Sequence, residues 1–210
     1  MASMHIAERT LRFMNGFLKS YGPSNLKKVL WDKEFSGDKW DFIDNTLGDC
    51  VYPVLEKYAE NGSILDLGCG PGNTANEVAA DAYQTYVGVD ISEAALSKAT
   101  KRSEENGRAS RNSFIQGDFI VYVPPQQFNV ILFRESMYHV PLGKVKSMLD
   151  RYSKYLTDRG VFIVRMNTTG SLLGRMKAIG DVMEREFDVV EKRQFGESGP
   201  TVIVFRPKLR

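Results

Sequence analysis

The chain is poor in the residues that build metal centres and disulfide frameworks. Among 210 residues there are two cysteines, Cys50 and Cys69, and two histidines, His5 and His139. The cysteines have no metal-ligand spacing, which argues against a disulfide scaffold and points to a reducing, cytoplasmic setting. No ligand cluster for zinc, iron or magnesium is visible, so no metal is expected. No apolar run approaches the roughly 20 residues that span a bilayer, so no membrane partner is expected. Glu8, Arg9 and Arg12 fall within a helical pattern, so the opening residues do not read as a signal peptide. Charge is nearly balanced, 28 Lys plus Arg against 26 Asp plus Glu. No basic run tracks a nucleic-acid backbone, and no nucleic-acid partner is expected. Repeats and low-complexity stretches are absent, composition is silent on oligomeric state, and the length suits one domain with a sizeable core.

What the chain does contain is concentrated in one run, Ile64-Leu-Asp-Leu-Gly-Cys-Gly-Pro-Gly-Asn-Thr-Ala75. A short buried strand, 64–67, leads into Gly68, Gly70 and Gly72, and a small-residue helix opens at about Thr74. Glycines here let the backbone turn sharply and approach a ligand with no Cβ between. Asp66 sets a carboxylate just ahead of the loop. A dinucleotide fingerprint would want glycine or alanine where this chain has Asn73, which disfavours a nicotinamide oxidoreductase. Further on, the strand 85–89 ends in Asp90 and Ile91. An acid at the tip of the second strand of a doubly wound sheet is placed to accept from both ribose hydroxyls. Phe114-Ile-Gln-Gly-Asp118-Phe119 ends a third strand with another acid, where an adenine amino group could be read.

Residues 8–19 place Leu11, Met14 and Leu18 on one helical stripe, widened by Phe13 and Phe17. Tyr21-Gly-Pro-Ser breaks that helix, and a polar and aromatic connector carrying Trp31, Phe35 and Trp40 follows. A second helical pattern, through Ile43, Leu47, Val51, Val54 and Tyr58, restarts around Gly48 and Pro53. From 64 onward strands and helices alternate, the signature of a mostly parallel sheet covered on both faces. Ser92 caps a helix that Gly107 stops. A fourth strand spans 128–133 and a helix about 142–156. Asp158-Arg-Gly160 turns into a fifth strand, 161–166, and a helix spans roughly 171–186. Segments 187–195 and 201–206 read as a hairpin, so one of them runs antiparallel to the rest. The expected fold is α/β: a doubly wound, seven-stranded, mostly parallel Rossmann-like sheet with a C-terminal antiparallel hairpin. Residues 1–59 are expected to form an N-terminal helical cap, either a lid over the cofactor pocket or a buttress for the core, and 60–210 the core.

The glycine loop with Asp66 two residues upstream, Asp90 after strand two, the Gly117-Asp118-Phe119 step after strand three and the seven-strand order resemble the class I S-adenosylmethionine-dependent methyltransferases. The resemblance covers about 60–206. It implies S-adenosylmethionine as methyl donor and S-adenosylhomocysteine as product. It places the methionine end of the cofactor on Asp66, Gly68, Gly70 and Gly72, with Cys69 inside the loop. Ribose falls to Asp90 with Ile91, and adenine to Asp118 with Phe119. The chain lacks the Asn/Asp-Pro-Pro-Tyr/Phe tetrapeptide after strand four that resembles adenine and glutamine N-methyltransferases, since Pro124-Pro125 stands before that strand. A small-molecule acceptor fits better than a polymer.

Strand four ends in Phe133-Arg-Glu-Ser-Met-Tyr-His-Val-Pro141. Ligands of open α/β sheets sit beyond the carboxyl ends of the strands, so Arg134, Glu135, Tyr138 and His139 should meet cofactor and acceptor. Arg134 is placed with the cofactor residues, or binds an acceptor carboxylate or phosphate, or makes a surface ion pair. His139, at an ordinary imidazole pKa near 6.5, would be a usable general base; otherwise it is a pocket histidine with no proton to move. Tyr138 is the second catalytic candidate and also a pocket wall. Trp31, Trp40, Glu135 and Asn167 complete the expected acceptor pocket. The expected activity is in-line methyl transfer to an oxygen or nitrogen of a small metabolite. The alternative is a non-catalytic regulatory protein that binds the same cofactor.

Overall fold

Strands β1 (Gly62–Leu67), β2 (Tyr83–Asp90), β3 (Asn112–Gln116), β4 (Phe128–Arg134), β5 (Leu156–Asn167), β6 (Phe187–Gln194) and β7 (Pro200–Pro207) form one sheet in the order β3-β2-β1-β4-β5-β7-β6. The computed structural model describes residues 14–37, 46–167 and 173–208. β1 pairs in parallel with β2 on one side and β4 on the other, so the chain winds outward to β3 and then crosses back. That reversal puts the topological switch point between the carboxyl ends of β1 and β4. β7 enters between β5 and β6 and runs antiparallel to both, so it is the reversed member of the expected hairpin.

Helices cover both faces. Residues 14–21 form α1, followed by α2 (Ser24–Phe35), α3 (Val51–Ala59), α4 (Asn73–Glu77), α5 (Glu93–Glu105), α6 (Leu142–Ser153) and α7 (Leu173–Glu186). Successive strand residues point to opposite faces, and β1 shows the consequence. Leu65 and Leu67 join Ile131 and Phe133 beneath Val145, Leu149 and Tyr152 of α6 and Ile179 of α7. Ile64 joins Val130 and Leu132 on the other face, against Val51, Val54 and Leu55 of α3. Strands buried on both sides read as continuous apolar runs, which is why 128–133 stands out in the sequence.

The structure departs from the sequence reading in two places. The aromatic connector after the Tyr21-Gly-Pro break is a twelve-residue helix, α2, entered from Pro23 in an extended conformation. Its apolar residues follow no stripe, because its inward side is largely polar and charged. Asp158–Gly160 do not form a turn before the fifth strand. β5 already begins at Leu156, and its pairing passes from Phe128↔Leu156 to Val130↔Val161, so 157–160 bulge out of register. α3, within the N-terminal helical stretch, packs on the sheet itself. Pro53 is its third residue, in the first turn, where a missing N–H costs nothing.

Candidate functional site

The loop after β1 is held by backbone and by one acid. The N–H groups of Gly68 and Cys69 donate to the Val89 carbonyl at 2.8 and 3.2 Å. Gly68 sits at φ +85°, and a Cβ there would lie 2.5 Å from that of Ser136, just beyond β4. No side chain fits at that crossing. The Ser136 hydroxyl donates to the Leu67 carbonyl at 2.5 Å, which closes the switch point from the other side. Asp90 accepts from the Gly70 N–H through Oδ2 and from the Ser92 N–H through Oδ1, both at 2.9 Å. The acid at the tip of β2 therefore orders the glycine loop while lining the cavity. Gly72 differs from its neighbours: it does not line the cavity but faces α5, with Ala99 Cβ 2.7 Å from where its own would be.

Three carboxylates mark the floor of the cavity. Asp66 is buried at the sheet centre and accepts from the Tyr86 phenol through Oδ2, while Oδ1 has no hydrogen-bond partner among the described residues. Burial, only partly opposed by the Tyr86 phenol, pushes Asp66 up to about 6. Burial likewise raises Asp90, against the N–H groups of Ser92 and Gly70. Asp118, two residues beyond β3, accepts from Ser24 Oγ and Lys27 Nζ of α2 at 2.9 Å each, and from the Ile120 N–H at 3.0 Å.

A cavity of about 840 Å³ opens above these acids, with α2 for a roof. Trp31 stands edge-on to His139 at 4.9 Å between ring centroids, and Lys19 of α1 lies over its indole at 3.9 Å. Lys19 also pairs with Glu34. Phe35 reaches to 3.7 Å of a Cβ built on Gly70. At the β4 end, Arg134 donates from Nε and Nη2 to Asp49 Oδ2 at 3.2 and 2.8 Å. Arg165 of β5 holds the same oxygen at 3.3 Å and pairs with Glu135. Burial pushes Asp49 up, but Arg134, the Val51 N–H and Arg165 outweigh it and hold the carboxyl below its ordinary value. Arg134 is thus in a buried ion pair, not a surface one.

Glu135 has φ +54°, a left-handed conformation uncommon for a residue with a side chain. Strain of this kind collects at sites that must aim a particular group. Met137–His139 then form a single 3-10 turn. Tyr138 lies 4.6 Å from the His139 ring, and burial followed by the Glu135 charge raises its phenol. His139 does not keep the ordinary imidazole value. Burial first, then the charges of Lys19 and Arg175, lower it to about 3. A ring that stays neutral through the physiological range is a weak proton acceptor, which counts against the general-base expectation.

The cavity brings together Asp66, Gly68, Cys69, Gly70, Asp90, Ile91, Asp118, Phe119, Arg134, Glu135, Tyr138, His139, Trp31 and Asn167. Trp40 and His5 lie outside the described residues. Sequence reasoning missed Lys19, Lys27, Glu34, Asp49 and Arg165, all of which line the same space. Asp49 carried a faint signal, since it stands just before α3 and accepts from the Val51 N–H at 3.0 Å. The lysines carried none, because single cations on a polar helix look like solvated surface. Among the described residues no His, Cys, Asp and Glu cluster could hold a metal, and no helix is long and apolar enough to cross a membrane.

A glycine loop after β1, acids at the ends of β2 and β3 and a cavity at the β1/β4 switch define a doubly wound α/β protein with a nucleoside-type site. Residues 59–193 match the family described as a methyltransferase domain, and the chain belongs to that family. It is 28% identical over 104 residues to sterol 24-C-methyltransferase erg6 of Aspergillus fumigatus, covering 49% of this chain and 27% of that protein. It is 27% identical over 168 residues to the mRNA cap guanine-N(7) methyltransferase of Schizosaccharomyces pombe, covering 73% of this chain and 46% of that one. The chain thus spans less than half the length of these curated relatives. Among solved structures it shares its fold with the N-methyltransferase NodS of Bradyrhizobium japonicum WM9 in complex with S-adenosyl-L-homocysteine. That match has a TM-score of 0.67 at 17% identity, over 86% of this chain and 97% of the other.

Proposed function

We propose that this chain is an S-adenosylmethionine-dependent methyltransferase acting on an oxygen or nitrogen of a small metabolite. The observation that carries the cofactor reading is Asp66, a buried carboxylate lining the cavity with one oxygen that has no hydrogen-bond partner among the described residues. An ammonium such as the cofactor's amino group satisfies that oxygen, and Asp90 and Asp118 are spaced along the same floor to receive ribose and adenine. When bound, the cofactor supplies a sulfonium methyl that is already activated for in-line displacement.

The chain's own residues then have to bind, orient and exclude water. The glycine loop brings its backbone against the ligand, with Asp90 fixing the Gly70 N–H. Arg134 and Arg165, neutralised by Asp49 and Glu135, form a rigid charged wall at the β4 and β5 ends. Trp31, Tyr138 and His139 form an aromatic wall where an acceptor would sit. Alignment of the acceptor contributes more here than proton removal, because the His139 imidazole is held neutral far below its ordinary value.

A roofed cavity of about 840 Å³ favours a small acceptor over a polymer strand. Two free thiols, Cys50 and Cys69, suit the reducing, cytoplasmic setting expected from composition. The test is incubation with isotopically labelled methyl donor and fractionated metabolite extract, followed by mass identification of labelled product. Tight S-adenosylhomocysteine binding with no label transferred to any fraction would favour the regulatory alternative.

A further inference from the structure

We propose that Lys27 couples helix α2 to the nucleobase end of the cofactor site. It acts as a positioning residue that tethers the Asp118 carboxylate and holds the roof of the acceptor pocket in place. The proposal rests on the cofactor reading above and extends it to a part of the chain that precedes the glycine loop and the sheet.

Four observations carry it. First, Lys27 Nζ and Asp118 Oδ2 are 2.9 Å apart with side chains only 9% and 8% exposed. Burying an ammonium and a carboxylate costs several kcal/mol before their attraction is counted, so a static buttress would be better served by an apolar contact. Second, the pair is incompletely used. An ammonium has three donors, yet Asp118 is the one side chain that the Lys27 ammonium donates to among the described residues, and both line the cavity. Third, α2 is tied to the neighbouring strand end as well. Asp32 Oδ1 accepts from Ser92 Oγ at 2.8 Å and from the Ala94 N–H at 3.3 Å, at the start of α5 and beside the segment that Asp90 orders. Fourth, the same helix carries Trp31 to His139 and Phe35 to the glycine loop.

One rigid helix therefore touches the base end, the ribose end and the acceptor wall. An occupant that engages Asp118 changes the surroundings of Lys27, and through it the placement of Trp31. Cofactor binding would in this way complete the acceptor pocket, and the cofactor would bind before the acceptor.

The test uses the full chain with two ligands, S-adenosylhomocysteine and its inosine analogue, in which the exocyclic amine is replaced by an oxo group. Calorimetry gives the affinities, and hydrogen exchange reads residues 24–35. The wild type should prefer the adenine ligand by about tenfold, the worth of a charge-assisted hydrogen bond, and should protect α2 on binding it. Lys27→Met and Lys27→Gln should lose most of that preference and the ligand-induced protection, and Lys27→Arg should recover part of both. Melting curves identify any variant that fails to fold, and the two uncharged replacements guard against that. A folded Lys27→Met protein that keeps both the preference and the protection would overturn the coupling alone. A wild type that binds neither ligand would overturn the cofactor reading and the coupling with it.

Discussion

Tyr86 donates its phenol hydrogen bond to Asp66 from the adjacent strand, two buried polar side chains meeting at the centre of the sheet directly below the glycine loop. The bond satisfies one carboxylate oxygen and leaves the other buried with no hydrogen-bond partner among the described residues. Strand β2 thus orients the acid of β1, and the carboxylate keeps an unused acceptor beneath the glycine loop.

This arrangement predicts a pH-dependent affinity. Burial lifts Asp66 to about 6, and a bound ammonium stabilises the ionised form and draws that value down. Affinity for S-adenosylhomocysteine should be full above pH ~7 and fall by up to tenfold per unit as pH drops through ~6. Calorimetry from pH 5 to 8 checks this, with Asp66→Asn expected to bind weakly and with little pH dependence. A flat profile for the wild type would show that Asp66 does not meet the ammonium.

Asp90→Ala should weaken S-adenosylhomocysteine binding by on the order of 1–3 kcal/mol, the cost of leaving buried donors unpaired. The structure adds a reason: the Gly70 and Ser92 N–H groups lose their acceptor together with any ribose hydroxyls. Affinity unchanged in a protein with a normal melting curve would remove Asp90 from the site.

Asp49 is the shared counter-charge of Arg134 and Arg165 and is 5% exposed. Asp49→Ala leaves two largely buried guanidinium groups facing each other, with Glu135 still paired to Arg165 and Asp66 the remaining acid acting on Arg134. A stability loss of about 3 kcal/mol is expected in urea unfolding, since removing one partner of a buried ion pair strands the other. A loss under ~0.5 kcal/mol would mean that solvent already screens the cluster.

Much of this architecture was legible in the sequence because it obeys local rules. β1 and β4 are apolar on both faces, the glycines follow a strand, and Ser92 caps α5 by accepting from the Ala95 N–H at 3.2 Å. The acids at Asp66, Asp90 and Asp118 could be placed because strand ends are recognisable and all such ends face one edge. The roof was not legible. α2 buries Lys27 and Phe35, and its Lys27 and Asp32 bond to residues 91 and 60 positions away, so nothing within a helical window marks an inner face. The bulge in β5 was hidden for a related reason: Asp158-Arg-Gly has the composition of a turn, and only the pairing of Leu156 and Val161 to β4 on either side makes it a bulge within one strand. His139 was read at its solution pKa because sequence shows neither its burial nor the cations Lys19 and Arg175 brought near it.

The last prediction concerns that histidine. Its pKa lies near 3 in the fold against an ordinary 6.5, so as pH falls below ~6.5 the unfolded chain takes up a proton that the folded chain does not. The contribution of His139 to stability is therefore present above the ordinary imidazole value and is lost as pH falls, on the order of 2 kcal/mol between pH 6.5 and 5. Asp66 acts in the opposite sense, since its raised value makes the fold take up a proton before the unfolded chain does as pH falls. The comparison should accordingly be made between the wild type and His139→Gln, whose stability difference should shrink toward low pH. Nuclear magnetic resonance of the imidazole C–H signals gives an independent reading. With only two histidines in the chain, the signal lost in His139→Gln identifies His139, and it should show no inflection from pH 5 to 8. An inflection near 6.5 would return His139 to the list of usable bases, and with it a mechanism in which the enzyme removes the acceptor's proton.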